Sequence, residues 1–388
     1  MERKILVTQI DGIVMTFLFE DGKAAEIWAE EGPGSVSIDD IYLGVVKNIV
    51  PNLDSAFVEY APGRSGYFPL KGSRIHFADP SLPDKRRGGL PVQGDTVLVQ
   101  AAREKQGTKE VLFKGNITLP GRYCVLTEDA GICKVSRKIA DPVRRAALKA
   151  LGGERPEYGW TIRTAAENVP DSEILADIDR TAEEYRRIMN ELTTRIPYSC
   201  IFRGAPAYRK LAERYCSEPD TEIVSDLKEV ISGISVPKAR KRLYEDAGYP
   251  LEKLYSLREA LKEALGRTVR LKSGAYIVID CTEAMTVVDV NTGKSAGRGA
   301  KDENFLKVNR EAGREVLRQI RLRNLAGIII VDFINQKDKA GMDELLTYLK
   351  ELSKADPVQV TVVDFTPLGL VEITRKKIRM PLREQLQG

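Results

Sequence analysis

Ala275-Tyr276-Ile277-Val278-Ile279-Asp280, Met285-Thr286-Val287-Val288-Asp289-Val290 and Gly327-Ile328-Ile329-Ile330-Val331-Asp332 decide how the last third of the chain is read. Each is short, rich in β-branched residues and bounded by polar or glycine-containing segments, which is strand chemistry. The first two form a hairpin pattern, and the third is the apolar run of a buried strand. Residues 302–323 then place Phe305, Val308, Ala312, Val316 and Ile320 on one helical face, 342–352 read as a second helix and 358–364 as a further strand. Strand and helix alternating in this way predict an α/β sheet covered by helices.

Two of these strands end in carboxylates, Asp289 and Asp332. Ligand sites of α/β sheets lie at the carboxyl ends of strands, and Mg²⁺ is usually held by one or two carboxylates while keeping waters for substrate phosphates. Each Asp has an alternative reading as a helix or turn cap. Asp364 ends a third strand in the same manner and is a reserve ligand on pattern alone. Asn291-Thr292-Gly293-Lys294-Ser295 resembles a P-loop, but the required earlier glycine is Val288, so that motif fails. The Gly-Lys pair either lets the backbone approach a phosphodiester or forms a plain turn.

Upstream, residues 1–35 alternate apolar runs with Asp11-Gly12 and Asp21-Gly22, the pattern of a β-meander. Short strands continue to about 118, as in a small closed barrel, with residues 81–90 as an inserted loop. In this stretch Phe57, Tyr67 and Phe68 lie near Lys47, Arg64 and Lys71. Aromatics that stack on bases beside cations hold single strands in OB-type barrels, although strand aromatics also serve as plain core. Residues 122–135 and 160–164 look extended and 171–194 helical, a small α+β unit, with further helices at 207–215 and 250–265. Arg163-Thr164 reads either as a guanidinium and hydroxyl gripping a phosphate or as an ordinary strand end.

Composition narrows the chemistry. The 388 residues are enough for two to three domains, no apolar run approaches membrane-span length, and the start lacks a signal-peptide core. A net charge of +4 leaves any nucleic-acid site to local features. One histidine, His76, excludes His-clustered metal sites and His-based catalytic triads. Five cysteines without a CxxC pair read as reduced packing residues. The chemistry therefore falls to carboxylates, Lys, Arg or a carboxylate-bound metal.

Longer segments resemble the ribonuclease E/G endoribonucleases. They include Lys272-Ser273-Gly274-Ala275-Tyr276, the run from Thr282 through Asp289 to Gly293, Arg318-Gln319-Ile320-Arg321-Leu322-Arg323-Asn324-Leu325-Ala326-Gly327, Gly327 through Asp332 to Ile334, and Leu368-Gly369-Leu370-Val371-Glu372-Ile373-Thr374-Arg375-Lys376. Tyr42-Leu43-Gly44-Val45-Val46 and Ser55-Ala56-Phe57-Val58 are similar too. The resemblance implies an α+β multidomain chain. A ribonuclease H-like subdomain (1–35 and 215–274) would carry an inserted OB-fold RNA-binding barrel (36–118) and a 5′-sensor subdomain (119–214), followed by a deoxyribonuclease I-like α/β catalytic subdomain (275–388). It implies Mg²⁺, with Mn²⁺ as a substitute, on Asp289 and Asp332, with Asn291 bonded to one carboxylate as part of the catalytic set. Phe57, Phe68 and Lys109 would hold RNA near the scissile bond. Gly121, Val125, Arg163 and Thr164 would form a pocket for the substrate's 5′-monophosphate.

The function implied is cytoplasmic hydrolysis of single-stranded RNA, including rRNA precursors and mRNA, to 5′-phosphate and 3′-hydroxyl ends. The rival from another class is a non-catalytic single-stranded RNA-binding protein. No Cys-Pro-x-Cys pair follows the Thr-Arg-Lys region, so no zinc site is expected in this chain and a homodimer would not be zinc-linked. The match is poor over 200–232 and over the loop 74–90.

Overall fold

The structure, a computed structural model, describes the chain except residues 31, 33–34, 83–88, 106–108, 216–219, 235–239, 247, 294–300, 335–338 and 388, and the side chains of 301–304. The tip of the loop 81–90, together with Cys216, Lys294 and Ser295, therefore lies outside the described residues. Two compact units are present: Met1–Gly32, Asp220–Ile234 and Arg240–Gly388 form one, and Pro33–Pro219 with Ser235–Ala239 the other.

In the first unit, strands Arg3–Ile10, Ile13–Glu20 and Lys23–Ala29 make an antiparallel meander. Its turns put Asp11 and Gly12, and Asp21 and Gly22, at positive φ, the two-residue geometry whose twist matches that of the strands. Arg3–Ile10 also pairs in parallel with Thr221–Ser225, which pairs with Arg240–Leu243, so chain segments more than 200 residues apart share one five-stranded sheet. Leu6, Phe17, Ile27, Val224, Leu257 and Leu322 form its core. The helix expected over 250–265 is two helices, Leu251–Leu254 and Leu257–Leu265, because Ser256 takes a left-handed conformation between them.

The same unit holds a six-stranded sheet in the spatial order Thr268–Arg270, Tyr276–Cys281, Met285–Asn291, Gly327–Asp332, Val371–Arg375, Val360–Phe365. Only the Met285–Asn291 and Gly327–Asp332 pair is parallel. The first strand begins at Thr268, so this sheet starts upstream of residue 275. Helices Lys301–Leu322 and Lys339–Ser353 cover one face, where Val308, Ala312, Val316, Ile320, Leu345 and Leu349 pack on Ile277, Val288, Val290, Ile329, Val331 and Ile373. Among the described residues, the expectation of a sheet covered by helices holds for that face alone. On the other face Met285, Val287 and Asp289, and Ile328 and Asp332, are exposed.

In the second unit, strands Ile41–Val50, Ser55–Ala61, Arg64–Pro69, Leu112–Lys114 and Thr96–Arg103 pair in that order, and the last returns to the first. This is a closed five-stranded barrel consistent with an OB fold. His76–Phe77 and Cys200–Phe202 extend it. Beside it, strands Leu119–Pro120, Cys124–Thr127, Gly159–Ile162 and Cys133–Val135 form a small sheet under helices Pro142–Gly153 and Asp171–Glu191. Trp160, Leu148, Ile174 and Ile178 are its buried centre. The architecture overall is mixed α+β. No helix among the described residues is long and apolar enough to cross a membrane.

Candidate functional site

Strand alternation aims residues 285, 287, 289 and 291 at one face and 328, 330 and 332 at the same face of the next strand. The parallel register then sets Asp289 opposite Asp332, Val287 opposite Ile330 and Met285 opposite Ile328. Neighbouring strands run about 5 Å apart, so the two exposed carboxylates stand side by side on the face opposite the two helices. Asn291, two residues on and therefore on the same face, donates from Nδ2 to Asp289 Oδ2 at 2.7 Å. Among the described residues no group of three or more His, Cys, Asp or Glu side chains is placed to hold a metal; the cluster here is a pair of acids with an amide.

Asp364 is not part of it. Its strand is separated from Gly327–Asp332 by Val371–Arg375, about 10 Å by strand spacing, and its Oδ1 accepts the amide of Phe365. Gly293 has φ +55°, and a Cβ there would lie 2.4 Å from the Gly274 carbonyl oxygen. The close approach that requires this glycine is to the chain's own backbone.

On the barrel, register pairs Phe57 with Tyr67 and Ala56 with Phe68. Phe57 and Tyr67 are partly exposed and their rings meet edge to face, with centroids 6.0 Å apart. Phe68 is 0% exposed, inside the barrel core with Val58, Val97 and Phe113. A ring with no free face cannot stack on a base, so the placing of Phe68 on the RNA surface is corrected: the exposed partner of Phe57 is Tyr67. Lys109 is exposed. Lys47 is paired with Glu59 at 3.1 Å. Of the cysteines, Cys281 is exposed at a strand end rather than packed.

Gly121, Val125, Arg163 and Thr164 come together through the small sheet. Val125 is paired with Thr161, and the Arg163 amide donates to Tyr123 O at 2.8 Å. The Gly121 amide is committed to Cys124 O at 2.9 Å, so what Gly121 contributes is room: a Cβ would lie 2.6 Å from Thr181 Oγ1 and 2.7 Å from Asp177 Oδ2. Thr164 Oγ1 shares a 2.8 Å hydrogen bond with Ser136 Oγ. The Arg163 guanidinium, about one-third exposed, lies 3.7 Å from Glu213 Oε2.

Sequence reasoning missed the support for this cluster. Asp177, 1% exposed, accepts the amides of Arg122 (3.2 Å) and Tyr123 (2.7 Å) and pairs with Arg180. Its signal was an acid three residues after Ile174 on an otherwise apolar helical face. Burial chiefly, then Asp177, pushes the Cys124 thiol up. His76 Nε2 stands 2.7 Å from Glu128 Oε1, and Glu128 also accepts from Tyr185 Oη (2.7 Å) and the Ile117 amide (2.9 Å). Burial works to raise the Glu128 carboxyl and is the largest single effect, but His76 and these hydrogen bonds together hold it below its ordinary range.

Residues 118–378 match the model of the ribonuclease E/G family. The chain belongs to the ribonuclease E/G family. It is 35% identical to ribonuclease E of Nostoc sp. over 89% of this chain and 52% of that protein, so it spans about half the length of that relative. It is 29% identical to ribonuclease G of Escherichia coli over 100% of this chain and 82% of that protein. It is also 29% identical to ribonuclease G of Salmonella typhimurium over 98% and 81%.

Proposed function

We propose that this chain is an endoribonuclease that hydrolyses single-stranded RNA in RNA processing and decay. In this reading a divalent cation, Mg²⁺ or Mn²⁺, sits on Asp289 and Asp332, and a substrate 5′-monophosphate stimulates cleavage. The observation that carries the reading is the register that sets two exposed carboxylates side by side with Asn291 bonded to one of them. A surface that only bound RNA would gain nothing from paired carboxylates, which repel the phosphate backbone. The names of the family relatives, ribonucleases E and G, support the same class of reaction.

The donor set fits a hard cation: all oxygen, two acids, and open to water on one side, as Mg²⁺ prefers. Bound there, the cation would lower the pKa of a coordinated water and offset charge developing on the phosphodiester oxygens. Asn291 holds Asp289 in one orientation through its Nδ2 donor. With water as the nucleophile rather than the 2′-hydroxyl, the products carry 5′-phosphate and 3′-hydroxyl ends. Phe57 and Tyr67 offer ring surface for bases and Lys109 a cation for the backbone. Arg163, with its planar fork of donors, and Thr164 would take the terminal phosphate, in a pocket whose floor at Gly121 admits no side chain.

The test is incubation of 5′-labelled AU-rich RNA with the protein in Mg²⁺ and in EDTA. Internal cleavage in Mg²⁺ alone is expected. RNA binding without cleavage under both conditions would instead make this a non-catalytic RNA-binding member of the family.

A further inference from the structure

Arg163 and Glu213 form an incomplete pair. Their closest atoms, Nη1 and Oε2, lie 3.7 Å apart, beyond the 2.7–3.2 Å of an N–H···O hydrogen bond. The contact is therefore one of charge, and the directional donors of the guanidinium are not spent on it. Around the same carboxylate the helix Ala207–Tyr215 brings Arg209, one turn before Glu213 and on the same helical face. Arg122, Arg163 and Arg209 all act on Glu213 electrostatically. Asp177 acts on it too, and is already bonded to Arg180 and to two backbone amides.

Three guanidinium groups thus share one carboxylate, and the share is poor. Among the described residues, Nε and Nη2 of Arg122 and Nε of Arg209 are buried and find no hydrogen-bond partner. Buried donors left unmet are costly and rare in folded proteins. Burial also pushes the Glu213 carboxyl above its ordinary range, so its ionised form sits there under protest from desolvation. The cluster is short of an acceptor with more charge and more oxygens than a carboxylate has, and a terminal phosphate carries both.

We propose that Glu213 is a built-in competitor for the substrate's 5′-phosphate: its negative charge beside Arg163 offsets part of the guanidinium's charge in the free protein and opposes the phosphate of a monophosphorylated RNA end. The proposal rests on the reading of Arg163 as the 5′-phosphate acceptor. Glu213 is then a specificity-determining residue, tuning how strongly the RNA end counts in binding. An ordinary structural ion pair would behave in the opposite way, because loss of the Glu213 charge would loosen Arg163 and weaken end recognition.

Equilibrium binding of two 3′-fluorescein decaribonucleotides, one with a 5′-monophosphate and one with a 5′-hydroxyl, is measured in EDTA so that no cleavage occurs. The readout is the ratio of the 5′-hydroxyl Kd to the 5′-monophosphate Kd. In Glu213→Gln the ratio should rise about two- to fivefold over wild type, the range a partly exposed ion pair commands. Glu213→Asp, which retracts the carboxylate by one methylene, should raise it less, and it carries the test if the Gln variant does not fold in a circular-dichroism melt. A ratio unchanged or lowered in these variants, with wild type still preferring the monophosphate, overturns the competitor role alone. A wild-type ratio of one that Arg163→Ala does not alter overturns the 5′-phosphate reading itself, and the competitor role with it.

Discussion

Replacing Asp332 by Asn should make the protein more stable in EDTA and remove most of the stabilisation that Mg²⁺ gives it. The size of the effect follows from register. Asp289 and Asp332 are paired on adjacent parallel strands, which run about 5 Å apart. Two unit charges at that distance repel by about 0.8 kcal/mol in water. Both carboxylates are exposed, so the dielectric of water applies, and 0.15 M salt trims the figure to roughly half. The Asn variant, of the same shape and without that repulsion, should melt about 1–2 °C higher in EDTA. If the wild-type pair holds Mg²⁺ with a dissociation constant of about 1 mM, 10 mM Mg²⁺ adds about 1.4 kcal/mol to the folded state. One carboxylate alone should forfeit most of that. Differential scanning fluorimetry of both proteins, each in EDTA and in 10 mM Mg²⁺, reads all four states, and cleavage of labelled RNA should vanish in the variant. Equal Mg²⁺ shifts in the two proteins, or wild-type cleavage by Asp332→Asn, would remove Asp332 from the metal site.

Tyr67→Ala should weaken single-strand RNA binding by about 1–3 kcal/mol if its ring stacks on a base, leaving the melting transition in place. Phe68→Ala should instead cost about 3–5 kcal/mol of stability as a core cavity; a Phe68 variant that melts normally yet binds RNA poorly would return that ring to the surface. Gly121→Ala forces a Cβ against Thr181 and Asp177, so urea unfolding should show a loss of about 1–3 kcal/mol, and unaltered stability would mean the neighbours give way. Glu128 has its carboxyl lowered in the folded state, so it contributes stability above its ordinary value of 4.5 that is lost as pH falls through the folded value. Glu128→Gln should accordingly trail wild type in urea midpoint at pH 7 and the gap should narrow as the pH falls below 4.5, whereas a gap that does not change with pH would assign the loss to packing alone.

Alternation and helical spacing carried much of the last sheet. Phe305, Val308, Ala312, Val316 and Ile320 were legible as one face; the last four are buried and Phe305 is partly buried. What such a stripe leaves open is which side of the sheet it covers, and the answer decides everything here. Both helices lie on one face, so Asp289 and Asp332 reach solvent on the other. Glu213 was beyond sequence reasoning for a different reason. Its partner Arg163 lies 50 residues away, and although Glu213 is the one acid in its helix, beside Arg209, Lys210 and Arg214, nothing in that local pattern says that a distant guanidinium meets it.

The barrel strand 64–69 shows where period-two reasoning stops. Tyr67 and Phe68 are adjacent aromatics, so hydrophobicity does not say which points inward, and a one-residue slip exchanges the faces of every side chain. Two neighbours settle the parity. Gly66 is buried so closely that a Cβ would lie 2.4 Å from the Phe113 ring, and Leu70 is buried as well. Residues 66, 68 and 70 therefore point inward together, and 67 must point out. Its register partner Phe57 is held to the same side by its own buried neighbours, Ala56 and Val58. The aromatic surface of the barrel is thus Phe57 with Tyr67, and Phe68 is the core residue against which that surface is built.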